Sequence, residues 1–317
     1  MGIARFLRNQ FRHDRNMKRY LDKEQKEIEK IQLKLEAINL KMRVDSLLEK
    51  TLNSSARGVS DEKLCDSEVV VSLTSFGKRI FDTYLAIESI MQGTVKPNRI
   101  VLWLSREEFE GKALPRTLEM QKARGLEVKY CEDIKSYKKL IPSLQFFPES
   151  CIITIDDDAI YEYDLVERLV TTHWENPQSI CACRMHKVKL GENYQPVNYL
   201  DWEWCVEEYG STSCLHFPTT GGGTLFPPYC FTKEALDASV FMKICPYADD
   251  VWFYAMRLLN DTPVAQVYTS KPQGYFAELP SRNIDALSSK NTDPIECGND
   301  KQLKAVFEKY NLYEKLL

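Results

Sequence analysis

The sequence lacks three features that would each define a class of protein. No apolar stretch is long enough to cross a bilayer, although 44% of the 317 residues are hydrophobic, so no membrane-spanning helix is predicted. The ten cysteines contain no Cys-x-x-Cys pair, a spacing that argues against a zinc site. The one glycine-rich segment, 219–224, lacks the Gly-Lys-Ser/Thr ending of a Walker phosphate loop.

The start of the chain contains no apolar secretory segment. We therefore expect a cytoplasmic protein with free, mostly buried thiols. The net charge of −4 is unevenly distributed, because residues 1–50 carry 13 Lys and Arg against 8 Asp and Glu while the remainder is acidic. That acidic remainder has no nucleic-acid recognition motif, so nucleic acid is not an expected partner.

Residues 1–60 are predicted to form a helical arm and linker ahead of a domain at 61–317, with the boundary between about 60 and 67. Segment 3–21 is basic and imperfectly amphipathic, which suits peripheral contact with the inner face of a membrane, or a solvated or protein-bound arm. Beyond it, apolar residues at steps of about three and four predict a coiled coil that could mediate self-association: Leu21, Ile28, Ile31, Leu35, Ile38 and Met42.

The region after the linker alternates between strand and helix patterns, which predicts an α/β domain with a mostly parallel, Rossmann-like sheet flanked by helices. Ligands of such sheets bind at the carboxyl ends of the strands. Strands are predicted at 69–74, 99–104, 126–130 and 151–155, helices at 82–92, 115–124 and 164–173, and later helices at 249–259 and 301–310, the last capped by Asn299-Asp300.

Three consecutive carboxylates, Asp156, Asp157 and Asp158, follow the fourth predicted strand. Adjacent Asp side chains repel one another, so they are most easily kept together beside a cation or a set of hydrogen-bond donors. Their oxygens are hard ligands that suit Mn²⁺ or Mg²⁺. The alternative is a solvated acidic turn before the next helix.

Two other strand ends supply residues that suit a nucleotide diphosphate. The first strand ends at Thr74 and Ser75, with Arg79 four residues on, and the third is followed by Asp133 and Lys138. A carboxylate there can accept hydrogen bonds from a base or ribose, and the cations can offset phosphate charge. The alternatives are a surface charge for Arg79 and a helix cap for Asp133.

Two further segments contribute candidates for the same site. A strand predicted over 180–186 places Arg184 and His186 on one face, where either could reach a metal or phosphate, although a lone His is more often a hydrogen-bonded structural residue. The glycines Gly221, Gly222 and Gly223 allow backbone to pass close to a ligand.

Asp249 and Asp250 lie in the first turn of a predicted helix. A helix cap explains one of these carboxylates. A second one, ahead of Val251-Trp252, is a candidate catalytic base.

The acidic triplet, the strand end at Glu132-Asp133, the glycine-rich loop and Asp249-Asp250-Val251-Trp252 together resemble the GT-A fold glycosyltransferases. The nearest likeness, over about residues 66–270, is to bacterial family 2-like enzymes of capsule, lipopolysaccharide or other surface-polysaccharide synthesis. The resemblance implies that Asp156 and Asp158 hold the metal and the diphosphate of a nucleotide sugar. It also implies that Asp133 contacts the base and that Asp250 or Asp249 deprotonates the acceptor.

The sequence departs from family 2 in lacking an Asn/Asp-rich loop after the first strand and in having Asp-Asp where Glu-Asp is common. The predicted reaction is an inverting, metal-dependent transfer of a sugar to a glycan or lipid-linked acceptor. Two other classes stay open. One is a nucleotidyltransferase or other metal-dependent phosphoryl-transfer enzyme, and the other is a non-catalytic scaffold of a polysaccharide-synthesis complex.

Overall fold

The computed structural model describes residues 2–271, 273–283, 291–293 and 298–317. The chain divides into two compact units, Met1–Glu49 and Lys50–Leu317. The domain boundary predicted between 60 and 67 stays a prediction.

The first unit lies within helix α1, Gly2–Asn53. No Gly or Pro interrupts the sequence from residue 3 to 57, and Lys, Glu, Gln and Leu, which favour helices, dominate it. The predicted seam is exposed in the single chain, with Ile31 63% and Met42 66% accessible. The helix is therefore observed, while the coiled coil stays a prediction.

The second unit is built from short strands and helices in alternation. The strands are β1 (Val69–Thr74), β2 (Arg99–Ser105), β3 (Leu126–Cys131), β4 (Cys151–Thr154), β5 (Ala159–Ile160), β6 (Ile180–Ala182), β7 (Met185–Lys187), β8 (His216–Pro218), β9 (Thr224–Phe226), β10 (Val264–Gln266) and β11 (Ala277–Glu278). The helices are α2 (Thr83–Met91), α3 (Arg106–Phe109), α4 (Arg116–Lys122), α5 (Ile141–Phe146), α6 (Leu165–Glu175), α7 (Ala238–Ile244), α8 (Asp249–Leu259) and α9 (Gly298–Tyr310).

Seven strands form the central sheet in the order β10-β6-β9-β4-β1-β2-β3. The pairs β4-β1, β1-β2, β2-β3 and β10-β6 are parallel, whereas β9 runs antiparallel to both of its neighbours. The predicted α/β class with a mostly parallel sheet is confirmed. Strands β1, β2 and β4 are almost wholly buried, as expected for strands covered on both faces.

Two local predictions are wrong. The strand expected over 180–186 is two strands, because the chain leaves the central sheet at Cys183 and Arg184 and β7 pairs with β8 in a separate sheet. Helix α9 begins at Gly298, so Asn299 and Asp300 lie in its first turn rather than ahead of it. Asp300 Oδ1 instead accepts a hydrogen bond from the Tyr199 amide at 2.7 Å.

Within the second unit, a buried ion pair fixes the last turn of α1 and the segment that follows it. Glu88 on α2 and Arg124 are 0% and 3% accessible, and Arg124 Nη1 donates to both Glu88 oxygens at 3.0 and 2.9 Å. Thr51 Oγ1 donates to Glu88 at 3.2 Å, and Arg124 Nε donates to the Ala56 carbonyl at 2.7 Å. The segment predicted as a linker is thus hydrogen-bonded to the core.

Candidate active site

One cleft of about 810 Å³ opens at the carboxyl ends of β1, β3 and β4. It is large enough for a nucleotide-sized ligand. Twelve of the predicted site residues line it: Thr74, Ser75, Arg79, Asp133, Lys138, Asp156, Asp157, Asp158, His186, Gly221, Asp249 and Asp250. Gly222 and Gly223 do not line it. We call this space the acidic cleft.

The acidic triplet lies at the floor of the cleft and is not a solvated turn. Asp157 and Asp158 are 4% and 6% accessible. Ser75 Oγ donates to Asp157 Oδ2 at 2.5 Å, and Arg79 Nη1 donates to Asp157 Oδ1 at 3.2 Å and Asp158 Oδ2 at 2.8 Å. Arg79 is therefore a buried counter-charge of the triplet and not a surface charge.

The three carboxyl groups differ electrostatically. Burial raises the pKa of Asp157 to about 7 in spite of the Ser75 hydrogen bond and the Arg79 charge. Burial and the Asp156 charge also raise the pKa of Asp158. Burial alone would raise the pKa of Asp156, but the charge and hydrogen bond of Lys139 outweigh burial, so the pKa is lowered. Asp156 is thus the carboxylate that the fold most strongly favours in ionised form.

Lys139 joins the triplet to the other acidic pair. It ends a 3₁₀ helix, Lys135–Lys139, and its Nζ lies 2.8 Å from Asp156 Oδ1 and 3.2 Å from Asp249 Oδ2. Burial favours a lower pKa for this ammonium, but the charges of Asp156, Asp249 and Asp250 raise it. The lysine stays charged and holds two distant chain segments at one place.

Asp249 and Asp250 begin α8 but do not cap it. The N-cap is Ala248, and no side chain caps this helix. Asp249 Oδ1 instead accepts from Ser136 Oγ at 2.9 Å, and Asp250 Oδ1 accepts from the Thr220 amide at 2.9 Å and the Thr220 hydroxyl at 2.6 Å. Both carboxylates face the cleft residues, so the capping interpretation is wrong.

The two carboxylates of this pair are not equivalent. Burial and the neighbouring Asp249 charge raise the pKa of Asp250, against the opposing charge of Lys139. Its two hydrogen bonds both end on Oδ1, and no donor among the described residues reaches Oδ2. One oxygen of Asp250 therefore keeps its lone pairs for a group that enters the cleft.

The residues predicted at the ends of β1 and β3 lie at the cleft. Thr74 Oγ1 donates to the Trp103 carbonyl at 2.8 Å. Asp133 accepts a short hydrogen bond from Lys138 Nζ and one from the Lys135 amide at 3.2 Å. Burial favours a raised pKa for Asp133, but the Lys138 hydrogen bond and charge outweigh it and lower the pKa. Its carboxylate is anionic and half-exposed at the cleft wall.

The glycine-rich loop packs against the triplet. A Cβ on Gly221 would lie 1.8 Å from Asp156 Oδ2, so only glycine allows this approach. Gly222 and Gly223 face Arg184 and Leu165 instead, where added Cβ atoms would lie 2.4 and 2.7 Å from side-chain carbons. Their need for glycine comes from this close packing.

His186 and Arg184 both line the cleft although they do not share one strand. His186 Nδ1 accepts from the Cys205 amide at 3.0 Å, and its ring centroid lies 4.7 Å from that of Trp204. Burial, then the Arg184 charge, lower the pKa of His186 to about 3. The imidazole is neutral, and its role as a metal ligand stays a prediction.

Several cleft residues were not among the predicted site residues. The Arg282 carbonyl oxygen accepts a hydrogen bond from Arg79 Nη2 at 2.7 Å, and the Arg282 Nη1 pairs with Glu278 at 2.7 Å. Tyr275 and Trp204 add aromatic walls. Arg282 does not follow a predicted strand, so the rule that selected residues at strand ends did not identify it as a site residue. Lys139 was recognisable only as a cation near a strand end.

The residues of the triplet fit a divalent cation. Asp158 Oδ1 is buried and has no hydrogen-bond partner among the described residues. Asp156 Oδ2 lies against Gly221, and both residues line the cleft. Both are hard oxygen donors of the kind that Mg²⁺ and Mn²⁺ prefer.

No helix in the described part of the chain is long and apolar enough to cross a membrane. No protein-family model and no curated protein matches the sequence.

The solved structures that show weak similarity to the chain include two enzymes. A CMP:2-keto-3-deoxy-manno-octonic acid synthetase complexed with CTP is 10% identical with a TM-score of 0.36, over 64% of this chain and 90% of the other. The mannosyltransferase PcManGT from Pyrobaculum calidifontis, in complex with GDP-Man and Mn²⁺, is 13% identical with a TM-score of 0.32, over 45% of this chain. The match spans 47%, or about half, of the mannosyltransferase.

Proposed function

We propose that the protein is a metal-dependent glycosyltransferase that moves a sugar from a nucleoside-diphosphate sugar to a hydroxyl group of a glycan or lipid-linked acceptor. The observation that carries the proposal is the Lys139 bridge. It brings the carboxylates at the end of β4 and those at the start of α8 to one cleft, at 2.8 and 3.2 Å from a single ammonium group. An inverting, metal-dependent sugar transfer uses two acidic groups, one that holds the metal and one that takes the acceptor proton.

Asp156 and Asp158 are the residues that would hold the divalent ion, Mn²⁺ or Mg²⁺. When bound, this ion offsets the negative charge that develops on the departing diphosphate. Arg79 keeps Asp157 and Asp158 in place through its hydrogen bonds at 3.2 and 2.8 Å. Asp133, fixed by Lys138, would accept hydrogen bonds from the base or ribose.

Asp250 is the proposed general base. Thr220 fixes its Oδ1, which leaves Oδ2 to accept the proton of the acceptor hydroxyl. A raised pKa brings the carboxylate closer to the basicity that this step needs at neutral pH. The acceptor oxygen would attack the anomeric carbon from the side opposite the diphosphate, its proton would pass to Asp250, and the bond to the diphosphate would break, so the anomeric centre is inverted. Trp204, 45% accessible at the cleft wall, is placed to pack on a sugar ring.

A binding screen tests the donor side. Wild-type protein is mixed with UDP-, GDP- and CMP-sugars in Mn²⁺ or in EDTA, and affinity is measured by calorimetry. We expect at least one nucleotide sugar to bind only with the metal, and Asp158→Ala to bind it at least tenfold more weakly. Asp201→Ala removes an exposed carboxylate from a short 3₁₀ helix and is the matched control. Equal affinity in Mn²⁺ and in EDTA would show that donor binding does not need the metal.

A product assay separates the transferase from a nucleotidyltransferase. The protein is incubated in parallel with nucleotide sugars plus acceptor glycans, and with nucleoside triphosphates plus free or phosphorylated sugars. Release of nucleoside diphosphate with a lengthened glycan supports the proposal. Release of pyrophosphate with a new nucleotide sugar would assign the second class, and no turnover of either set with intact binding would favour a scaffold.

We further propose that α1 pairs with a second copy of the chain and that the protein works in the cytoplasm at the inner face of a bacterial membrane, in surface-polysaccharide synthesis. The exposed seam is flanked by Lys and Glu, as in solvated coiled coils. Sedimentation should show a dimer that Ile31→Lys with Ile38→Lys converts to monomer. Pelleting with anionic vesicles but no dimer would assign the arm to the membrane instead.

A further inference from the structure

A second cluster of chemically active side chains lies away from the acidic cleft. Cys65 precedes β1, Cys151 is the first residue of β4, and His173 lies in the last turn of α6. The three are 8%, 0% and 8% accessible. Because β4 runs from Cys151 towards the acidic triplet, the cluster lies at the opposite end of that strand from the cleft.

The ligand atoms of these residues converge. Cys65 Sγ lies 4.0 Å from Cys151 Sγ, and Cys151 Sγ lies 3.5 Å from His173 Nε2. All three atoms lie within 4.8 Å of one another, and no other set of three or more His, Cys, Asp or Glu in the described ranges meets this condition. Tetrahedral zinc places two sulfurs about 3.8 Å apart and a sulfur and nitrogen about 3.5 Å apart, given its bond lengths of about 2.3 and 2.0 Å.

The hydrogen bonds of His173 do not explain its burial. Its Nδ1 has no partner among the described residues, and its Nε2 faces the Cys151 thiol. A structural histidine in a core normally donates to a carboxylate or a carbonyl. An imidazole that faces two thiols is more typical of a ligand for a soft or borderline metal ion.

We propose that Cys65, Cys151 and His173 bind one zinc ion, or a similar thiolate-binding divalent ion, as a structural site separate from the acidic cleft. On binding, both thiols release their protons and the imidazole binds as a neutral ligand, so two thiolates balance the charge of the ion. Three protein ligands would leave the fourth tetrahedral position to water.

The site would connect three parts of the second unit that are distant in sequence. The segment that leads into β1 is already held to α6 at this place by a hydrogen bond of 2.9 Å from Trp174 Nε1 to the Leu64 carbonyl. A bound ion would add a link from that segment to β4, 86 residues on. Its effect is therefore on stability, and its test needs no assay of transfer.

Cobalt is the probe, because thiolate ligands give Co²⁺ a charge-transfer absorption that oxygen ligands do not. The full-length protein is reduced, stripped of metal and titrated with Co²⁺, and bound Co²⁺ is then displaced by Zn²⁺. We expect one equivalent with the thiolate band, in wild type and in Asp158→Ala alike. Cys65→Ser and His173→Gln should each bind at least tenfold more weakly. Cys214→Ser, which alters a half-buried thiol elsewhere, should keep wild-type affinity.

Stability gives a second readout. Saturating Zn²⁺ should raise the unfolding temperature of wild type and Cys214→Ser but not of Cys65→Ser, because only a site in the native state couples binding to folding. Absence of the thiolate band in reduced wild type would overturn the proposal, as would an unchanged band in both site variants. A Cys65–Cys151 disulfide found by mass spectrometry in protein that binds no cobalt would assign the thiols to a cross-link instead.

Discussion

Two buried charge clusters of the second unit differ in how completely their carboxylates are paired. Each oxygen of Glu88 accepts at least two hydrogen bonds, from Arg124, Thr51, Gln92 and Gln121. In the acidic cleft, by contrast, three adjacent carboxylates share Arg79 and Lys139, and Asp158 Oδ1 has no donor among the described residues. The Glu88 cluster is closed around its one carboxylate, although Arg124 Nη2 and Gln121 Oε1 have no partner among the described residues. The cleft has excess negative charge.

The difference indicates what each cluster is for. A buried carboxylate with a full set of donors holds elements together, because removing either partner leaves an unpaired charge. A group of carboxylates with too few donors is retained at a cost in stability, and such sites are typical of ligand binding and catalysis. Mutation of the Glu88 cluster should therefore lower stability, whereas mutation of the cleft carboxylates should impair function without lowering stability.

The largest expected effect is on the closed cluster. Glu88→Ala leaves Arg124 buried without its carboxylate and should lower the free energy of unfolding by about 3 to 5 kcal/mol. Urea unfolding followed by circular dichroism measures this change. The control is Glu119→Ala, which breaks the exposed pair with Lys122 on α4 and should cost at most about 1 kcal/mol. Equal losses of unfolding free energy in the two variants would show that Glu88 stabilises the protein no more than an exposed ion pair does.

The next effect is on turnover. Asp250→Asn keeps the side-chain shape and the oxygen that accepts from Thr220, but it cannot take a proton. Transfer should slow by about a hundredfold or more while donor affinity and unfolding stay near wild type. Asp249→Asn weakens the contact with Lys139 and should affect donor affinity more than the chemical step. If both variants turn over normally, the base lies elsewhere and the inverting mechanism fails.

The rate should also respond to pH in one direction. Because the pKa of Asp250 is raised by burial and by Asp249, the proton stays on this carboxyl to a higher pH than on an ordinary Asp. The base is active only when deprotonated, so transfer should fall as the pH is lowered through that raised value. A pH profile of kcat with saturating donor measures this limb. A rate that is flat down to pH 4 would exclude Asp250 as the base.

A smaller effect follows from the segment between the two predicted domains. A chain that starts at residue 50 keeps Thr51 and the carbonyl of Ala56, which bond to Glu88 and Arg124. A chain that starts at residue 61 loses both partners and should be less stable by about 1 to 3 kcal/mol. Thermal unfolding of the two proteins measures the difference. Equal stability would place the domain boundary near residue 60, as the sequence pattern alone suggests.

Sequence patterns predict the parts of this fold that depend on neighbouring residues. The strand β1 is predicted at its observed bounds, Val69–Thr74, because a β-branched apolar run has few alternatives. The position of the acidic triplet follows from the strand before it. Strand β9, in contrast, has three residues after a run of glycines, and its antiparallel place between β4 and β6 depends on tertiary pairing.

The site shows the same limit. The carboxylates stand out in the sequence, but the side chains that position the triplet and the Asp249-Asp250 pair are 17 or more positions away. Lys139 meets Asp156 and Asp249 only in the fold, as Thr220 meets Asp250. The Cys65–Cys151 contact spans 86 residues, so the absence of a Cys-x-x-Cys pair carried no information about it. Local spacing predicts chemistry, whereas long-range contacts decide where that chemistry is placed.

The smallest expected change concerns the stability of the cleft, and it is the sharpest test of the comparison. Asp158→Asn removes a charge that burial and Asp156 already disfavour, and its amide oxygen can still accept from Arg79. When folding raises the pKa of a carboxyl group, the protein loses stability as the pH rises from the pKa of the unfolded state to the pKa of the folded state. Wild type bears that cost at neutral pH, and Asp158→Asn does not.

The variant should therefore unfold within about 1 kcal/mol of wild type at pH 5 and be equally or more stable at pH 8, with chelator present throughout so that no metal alters the balance. Thermal unfolding at both pH values measures this. The matched change in the closed cluster, Glu88→Gln, removes a charge that Arg124 stabilises and should destabilise the protein at pH 8. If Asp158→Asn destabilises the chain as much as Glu88→Gln does, the triplet is a structural support like the Glu88 cluster, and its excess charge is no indication of a ligand.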